Sequence, residues 1–138
     1  MPLRYAQHHV KCKDQPCPCA KVCAPRDRAT AFRFVHADAT DEADFAPVVV
    51  REGSGVRNKC ASYALSFFDT LENARKKYAV LAERQDAASR YGDQIAELPL
   101  QQADGVATLP SYTTGHFDLH PDDDATFTTR IKKYHNAA

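Results

Sequence analysis

The sequence predicts an α+β domain: a small, mostly antiparallel sheet, one long amphipathic helix at about 70–91, further short helices, and an irregular Cys-rich N-terminal arm. Three observations carry this. Short runs rich in β-branched and aromatic residues, bounded by Gly, Pro or Asp, mark strands. Leu71, Ala74, Tyr78, Leu81, Ala82 and Ala88 recur at helical spacing, with Glu72, Arg75, Lys76, Lys77, Glu83 and Arg84 mostly between them. Residues 1–30 keep neither period and hold four of the eight prolines and four of the five cysteines. The chain therefore divides into an arm or metal knuckle at 1–30 and a single α+β domain at 31–138. The chain's 138 residues are enough to bury a core without covalent staples, and deleting residues 1–28 is expected to leave a folded domain.

The elements follow in order. Phe32-Arg33-Phe34-Val35-His36-Ala37 is the first strand. A helical turn at about 41–46 ends before Pro47, because the residue preceding a proline avoids the α region. Val48-Val49-Val50 is read as a second short strand from its β-branching, and Arg51-Glu52-Gly53-Ser54-Gly55 as a turn. Lys59 to Phe68 is apolar and fits a short helix or a buried strand equally well. Asp69, three residues before Glu72, caps the long helix, and Gly92 stops it. Gln94 to Leu100 is a strand interrupted or ended at Pro99. Ala103 to Val106 turns, and Val106 to Leu109 returns as its partner strand. Gly115 to His120 is the last strand, stopped by Pro121, and Asp122-Asp123-Asp124 leads into a short amphipathic tail, Phe127 to Tyr134.

Charge excludes some functions. Eighteen Lys and Arg balance eighteen Asp and Glu, so there is no net positive field for nonspecific binding to nucleic acid. No apolar run approaches the roughly 18 residues that span a bilayer, so no membrane partner is expected. Met1 to His8 lacks the apolar core of an export signal, which makes the cytoplasm the expected compartment. Thiols there stay reduced, so close-set cysteines read as ligands or reactive thiols rather than disulfides.

Two constellations of side chains stand out. Cys12, Cys17, Cys19 and Cys23 follow a C-x4-C-x-C-x3-C spacing, with His8 and His9 just upstream. Zinc takes four thiolate or imidazole ligands, which the four cysteines supply, or three of them with His9 or His8. The competing reading is an unstructured arm with free thiols. The second constellation is His116-Phe117-Asp118-Leu119-His120, where strand alternation puts the two imidazoles and the carboxylate on one face. One ion shared by all three requires a kink, and a solvated strand face is the simpler reading. In between stands a site in which His116 or Asp118 acts as a base or binds substrate.

Ser66 interrupts the apolar run Ala61-Ser62-Tyr63-Ala64-Leu65-Ser66-Phe67-Phe68 just before the capped helix. An early strand with Arg33 and His36, the Leu-Ser-Phe-Phe step into a helix, and a late strand with a polar face together resemble ADP-ribosyltransferase-like domains in their order. Those domains place an Arg or His on the first strand, a Ser or Tyr in the middle and a catalytic Glu or Gln late. The resemblance implies an NAD pocket lined by Arg33 or His36, Ser66, and His116 or Asp118, in which Arg33 or His36 meets the nicotinamide ribose side, Ser66 braces the pocket, and Asp118 takes the place of the late acid. It covers about a dozen residues, has Asp where those domains have Glu, and gives the cysteine cluster no counterpart. Three functions are therefore in view: a zinc-dependent module with a protein partner, an enzyme using Arg33, His36, Ser66, His116 and Asp118, and a structural accessory protein with no chemistry.

Overall fold

The computed structural model describes residues 3–17, 27–37, 42–52 and 59–138. Six strands form one antiparallel sheet: β1 (Arg28–Val35), β2 (Leu65–Phe68), β3 (Gln94–Leu100), β4 (Gly105–Ala107), β5 (His116–Pro121) and β6 (Lys133–Asn136), in the order β4-β5-β2-β1-β3-β6. The described helices are α1 (Ala6–His9), α2 (Val48–Glu52), α3 (Leu71–Ala82) and α4 (Ala87–Tyr91), with 3-10 turns at Glu42–Phe45, Cys60–Tyr63, Gln102–Asp104 and Thr128–Arg130. This is the α+β, mostly antiparallel arrangement expected. None of the described helices is long and apolar enough to cross a membrane.

Side-chain alternation gives the sheet apolar side chains on both faces. Ala31, Val35, Leu65, Phe67, Ala96, Leu98, Phe117 and Leu119 form the larger core, closed by Phe45 and Phe127, whose rings stack at 5.1 Å. Phe32, Phe68 and Ile95 point the other way and meet Ala74 and Tyr78 of α3. Each fully buried aromatic contributes roughly 1.5–3 kcal/mol by leaving water.

Four elements differ from their sequence reading. Val48 to Val50 lies in α2, not in a strand: Val50 N and Arg51 N both bond back to Pro47 O at 3.0 Å, and none of the described strands pairs with this segment to reward β-branching. The helix expected over 70–91 is two helices. Thr70, not Asp69, caps α3, accepting from Asn73 N, and Asp86 caps α4, accepting from Ser89 N. A capping aspartate at 86 offers the backbone a fresh start that competes with continuation. Gly92 does end α4, at φ 90°, where any side chain would strike the Val35 carbonyl. β4 returns to β5 rather than to β3, so the two strands joined by the Gln102–Asp104 turn lie at different places in the sheet. The C-terminal tail ends in a sixth strand, β6, paired with β3.

Lys59 to Phe68 turned out to be both alternatives in succession, a 3-10 turn and then β2. β3 runs through Pro99 because β1 bulges opposite it, between Arg28 and Ala31, so the missing N–H interrupts no regular pair. The described part of the arm packs on the body: Leu3 bridges Asp122, Arg4 N donates to Pro121 O at 2.8 Å, and the Arg4 guanidinium reaches Ala125 O.

Candidate active-site cleft

The cleft begins with a fork. β1 and β2 pair only at Phe32 opposite Phe68 and then separate. On the open side of this fork lies a cavity of about 180 Å³. Arg33, Arg51, Ser66, Lys77 and His116 supply its polar lining, and Phe34, Phe68, Leu81 and Tyr91 its apolar lining.

Arg33 holds the fork in shape. Its side chain is buried and gives three hydrogen bonds, all to backbone carbonyls: Nε to Asp44 O at 3.0 Å, one amino nitrogen to Ser66 O at 2.9 Å, and the other to Ala46 O at 3.3 Å. It also lies over the Phe45 and Phe67 rings. Burial, reinforced by repulsion from Arg51, lowers its pKa to about 10, so it stays charged at neutral pH.

Asp44 is the carboxylate on this side, and it is already engaged. Its Oδ1 is 2.7 Å from His36 Nδ1 and 3.8 Å from Arg51. That bond, more than any other factor, raises the His36 pKa, and the other ring nitrogen lies 3.1 Å from Ser89 O. His36 is thus a brace behind Asp44 and not part of the cleft wall.

Across the fork, His116 Nε2 is 3.0 Å from Ser66 Oγ and 3.5 Å from Asp118 Oδ1. Burial raises the Asp118 pKa, partly offset by His116. The same imidazole nitrogen faces both the hydroxyl and the carboxylate. A serine-hydrolase relay needs the two on opposite nitrogens, so this is a polar pair backed by an acid, not such a triad. Gly115, just before His116, has φ 72° and lets the strand pass tight against Asp69 and Asn73 at the start of α3.

Of the residues picked out from sequence, Arg33, Ser66 and His116 line one cavity, Asp118 stands behind His116, and His36 stands behind Asp44. Sequence reading missed Arg51, Lys77, Phe34, Phe68 and Tyr91 as cleft residues. Lys77 and Leu81 had a signal, since their i, i+4 spacing places them on one face of α3. Arg51 had none, because its place depends on α2.

The cysteine constellation lies elsewhere. Cys17 is disulfide-bonded to Cys60, across 43 positions of sequence, and Cys12 is a buried free thiol that donates to His8 O at 3.4 Å. A disulfide sulfur is not a zinc ligand, so Cys17 would need reduction to serve as one. Cys19 and Cys23 lie outside the described residues. His9 is buried, with its ring edge-on to His120 at 5.1 Å. Among the described residues as they stand, no set of three or more His, Cys, Asp or Glu side chains is placed to hold a metal ion. His116 and Asp118 belong to the cleft and His120 to this other corner, so that strand's polar face serves two places.

No family model, no curated protein and no solved structure matches the chain.

Proposed function

We propose that the chain is a small enzyme that binds a nicotinamide dinucleotide in the fork cleft and cleaves its nicotinamide–ribose bond, transferring the ADP-ribosyl group to water or to an acceptor. The observation that carries this reading is the convergence of Arg33, Ser66 and His116, far apart in sequence, on one cavity walled by Phe34, Phe68 and Tyr91. Aromatic walls suit a flat ring, and a cavity of about 180 Å³ suits one ring and its sugar rather than a whole dinucleotide. The phosphates would then extend along Arg51 and Lys77 toward solvent. Arg33, Arg51 and Lys77 outnumber the nearby carboxylates, and Asp44 is held by His36 and Arg51. That imbalance favours an anionic ligand.

Ser66 Oγ and His116 Nε2 are within hydrogen-bond distance of each other at the cavity wall, and in this reading both would meet ribose hydroxyls. As the bond from ribose C1′ to the ring nitrogen breaks, its electron pair leaves with nicotinamide. The incoming water or acceptor hydroxyl adds to C1′ and gives its proton to the His116 imidazole. Asp118 is a positioning residue that steadies the imidazolium so formed.

Nicotinamide release from NAD, with calorimetric binding of NAD and ADP-ribose, tests this. His116→Ala and Ser66→Ala are expected to slow release by about a hundredfold and tenfold respectively. No binding of either ligand, or release unchanged in both variants, overturns the reading.

A further inference from the structure

At the far end of β5, away from the cleft, two buried histidines pack against each other and one of them faces a disulfide sulfur. His120 is 1% exposed, and its Nε2 is 3.9 Å from Cys60 Sγ. Cys60 is bonded to Cys17. His9, 3% exposed, packs its ring edge-on to His120 at 5.1 Å. Two nitrogens here, His9 Nε2 and His120 Nδ1, are buried and have no hydrogen-bond partner among the described residues. A buried unpartnered polar atom costs about 1–3 kcal/mol, so His9 Nε2 calls for an occupant, while His120 turns its other nitrogen, Nε2, toward the Cys60 sulfur.

Cys60 is anchored, its backbone N–H donating to Asp14 Oδ1 at 2.8 Å, and Gln15 ties the arm by donating to His9 O and Cys12 O. These hydrogen bonds do not involve the two sulfurs.

We propose that reduction of the Cys17–Cys60 disulfide creates a tetrahedral zinc site of two thiolates and two imidazoles, Cys17, Cys60, His9 and His120. A dithiol reductant supplies two electrons and two protons. Its own sulfurs become a disulfide while the Cys17–Cys60 bond opens to two thiols, and zinc then displaces the two thiol protons. In such a site a sulfur and an imidazole nitrogen stand about 3.5 Å apart and the two sulfurs about 3.8 Å apart. The 3.9 Å from Cys60 Sγ to His120 Nε2 is already close to the first of these. The ligand set differs from the arm quartet read from sequence: it uses one arm cysteine, the fifth cysteine of the chain and a β5 histidine.

Cobalt(II) is the probe, added to the full chain in its oxidised form and after reduction. The reduced chain is expected to bind one cobalt per chain, with the visible ligand-field bands of a tetrahedral ion and a thiolate charge-transfer band, and zinc should displace it. The oxidised chain is expected to show neither band. His9→Ala and His120→Ala each weaken binding by about tenfold or more, while the triple variant Cys12→Ser, Cys19→Ser, Cys23→Ser binds as the native chain does. Failure of the reduced chain to bind cobalt overturns the proposal. So does equal binding by the oxidised chain, or loss of the bands in the triple variant, which would return the metal to the arm. The oxidised and reduced native chains carry the test even where a histidine variant does not fold.

Discussion

Strand β5 carries two histidines with opposite surroundings. His116, at one end, is partly exposed and bonded to Ser66, and has Asp118 beside it. His120, four residues on, is buried against His9 and the disulfide, with one ring nitrogen unpartnered. The first sits in the open fork beside Arg33, Arg51 and Lys77. The second sits in a buried corner beside the disulfide. Both lie on the same side of the strand by alternation, so residue type and strand position do not decide what a histidine does. The elements packed over it do: α3 and α4 leave the fork open, and the arm closes the other end.

The largest effect that probes this contrast is on the cleft side. Arg33→Met removes the donors to Asp44 O, Ser66 O and Ala46 O. The expected loss is about 4 kcal/mol, read as a lower urea midpoint with an unchanged slope. A loss under about 1 kcal/mol would mean that water replaces the guanidinium and that the fork does not depend on it.

On the corner side, opening the disulfide, which spans 43 positions, is expected to lower stability by about 2–4 kcal/mol in metal-free buffer. Thermal unfolding with and without a dithiol reductant, each with chelator, measures it. An unchanged midpoint would show that the arm is held by its other contacts alone.

Acid separates the two regions by sign. Unfolded, His120 takes a proton near pH 6.5; folded, it does so near 4. Between those values the unfolded state binds more protons, so the corner loses stability as pH falls from about 6.5 to about 4, by on the order of 3 kcal/mol in total. His36 works the other way. Its folded pKa lies above 6.5, so its contribution is complete below that pH and is lost as pH rises through the raised value. His120→Asn should flatten the acid limb of a stability–pH curve and leave the His36 limb intact. An acid limb that survives this substitution would move the buried neutral histidine elsewhere.

The smallest effect on stability is the sharpest on function. Ser66→Ala removes an exposed hydroxyl whose partner is His116, so the unfolding midpoint should shift by less than about 0.5 kcal/mol while nicotinamide release slows. Equal loss of fold and activity would make Ser66 a structural residue.

Much of this was legible in the sequence. The strands read at Phe32–Ala37, Gln94–Leu100 and Gly115–His120 correspond to β1, β3 and β5: β3 matches residue for residue, β5 is displaced by one, and β1 starts four residues earlier, at Arg28, within the stretch read as arm. The start of α3 followed from local capping chemistry, although the capping residue was Thr70. Arg33, Ser66, His116 and Asp118 could be singled out as polar residues in apolar strands. Val48 to Val50 misled because β-branching expresses itself only where a sheet edge is at hand. The break at Asp86 was missed because the apolar repeat was followed past a residue that caps a new helix.

By itself the sequence determined the class of fold, the strands whose two faces alternate, and the residues with chemistry to offer. These are local properties, fixed by period and side-chain type over a few neighbours. Only the tertiary structure decided that Arg33 bridges to Ser66 where β1 and β2 part, that Lys77 and Arg51 close on the same cavity, and that Cys17 pairs with Cys60 rather than with a cysteine beside it. Those choices depend on strand order and on which surfaces meet. Contacts across tens of residues are set by burying the shared core, and no local pattern records them.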